Sequence, residues 1–168
     1  MDVAGAYDSL AWHDFAVAFA GASAALLGLA FVAISLNLDA IIATPTLSGR
    51  AAGALVFFAY PLAASLLLLT PGLSSTALAT GQLVLVLGLL VMLVRLDLPR
   101  LRQERDDPLG WRLGHFLPTV LVMLLAAVAV IGTYSTSLGA LYWLASAMAL
   151  STTAGLLTSW VLLVEIKR

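Results

Sequence analysis

The sequence predicts an all-α integral membrane protein, a single domain of 168 residues that forms a bundle of five transmembrane helices. Hydrophobic residues make up 62% of the chain and charged residues only 10%, whereas soluble domains carry about a quarter charged residues. The apolar residues fall into five long windows, and a helix needs about 20 such residues to span the hydrocarbon. All 8 lysine and arginine residues also fall on one predicted side of the membrane.

Polar or helix-breaking clusters separate the five windows. The first window covers about 11–42, and the second, 51–70, ends at the breaker pair Pro71-Gly72. The third covers 76–94 and leads into a charged loop, 95–115, whose two prolines argue against a long helix there. The fourth and fifth windows cover 116–134 and 138–164. We expect one transmembrane domain over residues 1–168.

The basic residues predict the orientation of this bundle. With the N-terminus outside, Arg50, the arginines of the charged loop and the C-terminal Lys167-Arg168 all lie inside. By the positive-inside rule, the C-terminus is therefore cytoplasmic. Seven arginines against one lysine, with abundant alanine and leucine, indicate a GC-rich bacterial genome, so we expect the bacterial plasma (inner) membrane. Trp12 and Trp143 then fall at the outer interface, where aromatic rings are enriched. The N-terminus lacks the basic region of a signal peptide, so we expect the first helix to be retained.

The first window carries a face of small residues with an acidic residue near each end. In one continuous helix, Asp14 and Asp39 would be nearly seven turns and about 37 Å apart on the same face. Because the hydrocarbon is only about 30 Å thick, both carboxylates would reach the headgroup regions. Two sets with a seven-residue spacing form this small-residue stripe: Asp14, Gly21, Gly28 and Ser35, and Ala18, Ala25, Val32 and Asp39.

Two interpretations of the small-residue stripe stay open. Small residues let helices approach closely in lipid, so the stripe can pack against another helix. One candidate partner is the fifth helix, with its own ladder of small residues at Ala147, Ser151, Gly155 and Ser159. Alternatively, several copies surround an axis, the stripe lines a pore, and Asp14 and Asp39 form acidic rings that favour cations. The two interpretations can coexist, and the pore interpretation predicts a homo-oligomer.

Several other function classes lack the residues they need. No Asp, Glu, His, Lys or Arg lies within 16–37, 52–93 or 117–163, which argues against proton-coupled transport and intramembrane catalysis. The chain has no cysteine, and His13 near Asp2, Asp8 and Asp14 lacks a recognised metal spacing. A net charge of −1 without a basic patch argues against nucleic-acid binding. We therefore expect no enzyme activity, cofactor or metal.

The second helix contains Tyr60-Pro61 in its middle. Proline lacks a backbone N–H, so the carbonyl of Phe57 loses its helical partner and the helix should kink. A neighbouring group must satisfy that carbonyl in lipid, and the Tyr60 hydroxyl is a candidate. Asn37 and Gln82 are expected to bond across helices.

The opening pattern WHDFAVAFAGASAALLGLAFVAISLNL resembles small multi-pass bacterial membrane proteins whose function is not established. Some of these proteins carry a label as modulators of a membrane-bound protease. The resemblance covers mainly the first helix and implies no catalytic residue. Our leading hypothesis is a cation-permeable pore around the first helix. The alternative is a non-conducting accessory or regulatory subunit that packs against a partner such as a membrane protease or transporter.

Overall fold

A computed structural model describes residues 11–103, 109–136 and 139–166, and within these ranges the chain forms six helices and no strand. Five of the helices are long and apolar enough to span a membrane. The predicted all-α fold with five spanning-length helices is therefore confirmed. The helices are α1 (His13–Leu36), α2 (Leu38–Ala43), α3 (Pro45–Leu68), α4 (Ser75–Gln103), α5 (Leu109–Ser135) and α6 (Ala140–Ile166).

Four of the long helices form a closed ring, in which α3 packs on α4, α4 on α5, α5 on α6 and α6 on α3. Helix α1 lies outside this ring and packs on α3. Helices that are joined by short connections and pack on each other run antiparallel. The Trp12 end of the bundle therefore holds the starts of α1, α4 and α6. The Arg50 end holds the starts of α3 and α5.

The interior of the ring is filled by large apolar side chains. Phe58, Leu141, Met148 and Val122 come from α3, α6 and α5, and each is less than 2% exposed. Leu141, Met148 and Val122 belong to one continuous apolar core that α1 joins through the fully buried Ala16. The core thus contains residues from all five long helices.

The sequence predicted one continuous helix over the first apolar window. This prediction is wrong, because the helix breaks at Asn37. The Asn37 side chain donates from Nδ2 to the carbonyl of Ala33 at 2.8 Å, and its backbone N–H bonds Ile34 O at 3.1 Å. Local side-chain bonds of this kind compete with the helix. Asn37 thus bonds its own preceding turn and not another helix. Asp39 lies on α2, so the predicted geometry of Asp14 and Asp39 on one helix does not hold.

The charged loop is also more helical than predicted. Helix α4 continues through Pro99 to Gln103, and α5 starts at Leu109. Pro99 removes one helical bond, to the carbonyl of Arg95, and Arg95 is exposed, so water can take that bond. The second predicted window, 51–70, starts too late in the chain, because α3 already starts at Pro45. Proline suits the first turn of a helix.

Candidate functional site

The small-residue stripe of α1 faces away from the rest of the chain. Only Ala16 and Ser23 of α1 are buried. A methyl group added at Gly21 or Gly28 would meet no atom within 4 Å, and Val32 is 55% exposed. The stripe is therefore a free face over the full length of α1. Its exposed members on this helix are Asp14, Ala18, Gly21, Ala25, Gly28, Val32 and Ser35.

The small-residue ladder of the predicted fifth helix, now α6, lies against α3 and not against the stripe. Ala147 and Ser151 are fully buried. A methyl group added at Gly155 would lie 2.7 Å from Cε1 of Phe58, so the Phe58 ring seats directly on this glycine. Ser159 is half-buried, and its hydroxyl has no hydrogen-bond partner in the described part of the chain. The packing of Gly21 and Gly28 on α6, one of the predicted alternatives, does not occur.

The carbonyl that Pro61 leaves free is bonded by α6. Ser151 Oγ donates to Phe57 O at 2.7 Å, and both groups are buried. The sequence identified the carbonyl but suggested the wrong donor, since the Tyr60 hydroxyl is buried without a partner among the described residues. The only signal for Ser151 was its place in the small-residue ladder, because it is 94 residues away from Phe57 in the chain.

A second polar contact links α4 to α5 inside the ring. Thr133 Oγ1 donates to Gln82 Oε1 at 3.1 Å, and Gln82 is only 2% exposed. This is the bond between helices that the sequence predicted for Gln82. It fixes the two helices relative to each other near the Trp12 end.

An ion pair closes the Arg50 end of the bundle. Arg50 of α3 pairs with Glu165 of α6, and Arg50 is only 7% exposed. The sequence had placed Arg50 in an aqueous loop, because the second window was expected to start after it. A small apolar cluster surrounds this end and packs α2 onto the bundle: Ile34, Ile41, Leu47, Ala51 and Leu162.

The two acidic residues of the stripe are both exposed. Asp14 lies in the first turn of α1 and Asp39 in the first turn of α2. A carboxylate there interacts favourably with the partial positive charge of a helix N-terminus. Within the described ranges, no three His, Cys, Asp or Glu residues come together as a metal site. Asp2 and Asp8 of the predicted acidic cluster lie outside these ranges.

Trp12 packs at the start of α1 against Tyr142 at the start of α6, with ring centroids 4.9 Å apart.

Comparison of the chain with protein-family models, with curated proteins and with solved structures found no match. We therefore infer function from the chain's own residues, above all from the exposed face of α1.

Proposed function

We propose that this chain is the subunit of a homo-oligomeric, cation-permeable pore in the bacterial plasma membrane. The observation that supports the proposal is the exposure of the whole small-residue stripe of α1, whereas Ala147, Ser151 and Gly155 of the α6 ladder are buried. The lumen lies between copies of α1. The Trp12 end faces outward and the Arg50 end faces the cytoplasm, in accord with the positive-inside rule.

The chemistry of the stripe suits such a lumen in two respects. Small side chains leave space beside each helix when several copies surround an axis, and they let neighbouring helices approach closely. Asp14, at the Trp12 end, contributes one carboxylate from each copy to a ring at the outer mouth, and acidic rings favour cations. Asp39, on α2, contributes a second ring at the cytoplasmic mouth. Because the chain breaks at Asn37, the Asp39 carboxylates of this second ring lie on α2 and not on α1.

The test is cation flux into liposomes that contain the purified chain, together with its native mass in lipid nanodiscs. We expect a ring of about four or more copies, because a monomer or dimer leaves no axis for α1 to surround. Asp14→Asn and Asp39→Asn should reduce flux, and Gly28→Leu should block it. Ala149→Leu, on the exposed side of α6, adds the same side chain away from the stripe and is the control. Unchanged flux in all three stripe variants contradicts the proposal.

A second candidate function is a non-conducting accessory or regulatory subunit, in which α1 packs against a helix of another membrane protein. The specific observation in its favour is that the stripe between Asp14 and Ser35 holds only Ala, Gly and Val side chains. Such a face suits helix packing without any lumen. This function predicts a monomer or dimer in nanodiscs and no flux. It also predicts co-purification with a partner, such as a membrane protease or transporter, that Gly28→Leu abolishes.

A further inference from the structure

A groove runs between α1, α3 and α4, on the side of the bundle where α1 leaves α4 uncovered. It has a volume of about 550 Å³, within the roughly 300–1,000 Å³ that is usual for small-molecule sites. Leu27 of α1 and Met92 of α4 form its two walls, and the alanines Ala59 and Ala63 of α3 lie along its floor. Tyr60 is the only lining residue with a polar side chain.

The groove extends along α4 to a positive charge. An open surface of α4 shares Val84, Gly88 and Met92 with the groove and ends at Arg95. Arg95 is exposed and follows the apolar stretch Ser75–Met92 by three residues, at the same end of the bundle as Arg50. A guanidinium there is always charged and lies at the level of lipid headgroups.

The length of the groove matches one leaflet of a bilayer. From Val84 to Arg95, α4 rises by about 16 Å, at about 1.5 Å per residue. Half of a hydrocarbon core about 30 Å thick is about 15 Å. The apolar part of the groove therefore has the depth of one acyl chain, and its charged end has the depth of that chain's headgroup.

We propose that this groove binds an anionic phospholipid of the leaflet at the Arg50 end. One acyl chain lies along α4 over Gly88, between the walls formed by Leu27 and Met92. The lipid phosphate pairs with the guanidinium of Arg95, since arginine presents parallel N–H donors that match phosphate oxygens. Basic residues at the cytoplasmic ends of transmembrane helices bind anionic headgroups in this way. The site goes beyond the proposed pore and shares no residue with the stripe.

The geometry favours a lipid over a helix from a second copy of the chain. A transmembrane helix with its side chains is about 10–12 Å across and passes through both leaflets. Along α3 the groove runs only from Ala52 to Ala63, about 16 Å at about 1.5 Å per residue, which is about half the length of a spanning helix. An occupant that is apolar over one leaflet and anionic at its end fits these limits.

The test is native mass spectrometry of the detergent-purified full chain, titrated with phosphatidylglycerol or with phosphatidylcholine of the same acyl chains. We expect phosphatidylglycerol to bind about fivefold more tightly, the factor that one basic side chain near an anionic surface contributes. Arg95→Gln should weaken phosphatidylglycerol binding more than phosphatidylcholine binding and so remove this preference, whereas Arg95→Lys should keep most of it. Equal binding of the two lipids by the unmodified chain, or a preference that survives in Arg95→Gln, overturns the proposal.

Filling the groove is the second arm of the test. A methyl group added at Gly88 meets no atom within 4 Å, so Gly88→Leu should fold normally and occupy the space of the acyl chain. It should weaken the binding of both lipids, while Ala149→Leu on α6 leaves both unchanged. Unaltered lipid binding in Gly88→Leu with a reduced native mass would mean that a second copy occupies the groove, and would overturn the proposal. Neither readout depends on ion flux, so failure of the pore would not affect it.

Discussion

Pro61 removes one backbone hydrogen bond from the middle of α3, and Ser151 of α6 replaces it. A buried carbonyl without a partner costs about 1–3 kcal/mol, and lipid offers no water to take its place. The Ser151 hydroxyl is 2.7 Å from Phe57 O and is fully buried. One serine therefore lets α3 keep a proline at its centre while it contacts α1, α4 and α6.

Ser151→Ala should lower the thermal stability of the chain in detergent, by roughly 1–3 kcal/mol, because Phe57 O loses its donor. Ser146→Ala is the matched control, since Ser146 is exposed on the same helix and bonds only its own preceding turn, at Tyr142 O. In a Pro61→Ala background, the restored N–H can bond Phe57 O within α3. Ser151→Ala should then cost less. An equal loss of melting temperature in both backgrounds contradicts this account.

At the scale of the helices, the two sets of small residues have opposite surroundings. The Phe58 ring, which is only 1% exposed, packs directly on Gly155 of α6. Gly21 and Gly28 of α1 have open space where a side chain would extend. The α6 ladder thus holds the fold together, and the small-residue stripe of α1 remains available for contacts outside the chain.

Gly155→Ala and Gly28→Ala should therefore differ in their effects on stability. The added methyl at Gly155 would lie 2.7 Å from Phe58 Cε1, so the ring and its neighbours must shift. Overpacking of this kind typically costs about 1–3 kcal/mol. The same methyl at Gly28 meets nothing within the chain, and alanine is the better helix former. Thermal melting of both variants in detergent measures the difference, and an equal loss of stability would refute it.

The positions of the helices along the sequence were more predictable than the contacts between helices. Runs of about 20 apolar residues locate spanning helices from sequence alone, because the bilayer fixes their length. The break after α1 was not predictable from the seven-residue spacing, because it depends on the Asn37 amide bonding its own backbone. The burial of Arg50 depends on Glu165, which lies on another helix. The small-residue stripe of α1 and the small-residue ladder of α6 have similar spacings, yet only the α6 ladder faces inward. Contacts between distant segments decide this, and residue spacing within one helix does not reveal them.

At the scale of the whole molecule, the four helices α3 to α6 pack against one another, whereas most of the surface of α1 is exposed. In the apolar stretch of α1 only 6% of residues are buried, compared with 56% for α3. Each ring helix contacts two ring neighbours, whereas α1 packs mainly on α3. Lipid can cover the apolar surface of α1. A face of alanine and glycine, however, gains most from the close approach of another helix.

Cysteine cross-linking can test directly whether the α1 helices of two copies meet along the stripe, because the natural chain contains no cysteine. If copies meet along the stripe, Ala25→Cys in native membranes should form disulfide-linked dimers on oxidation. Disulfides require Cα atoms within about 7 Å, so only a close contact between α1 helices yields this product. Ala149→Cys on the exposed side of α6 reports random collisions and should stay monomeric. Dimers from both variants, or from neither, would remove α1 as the contact between copies. Dimers from Ala25→Cys alone, together with absent cation flux, would keep the contact and exclude the pore.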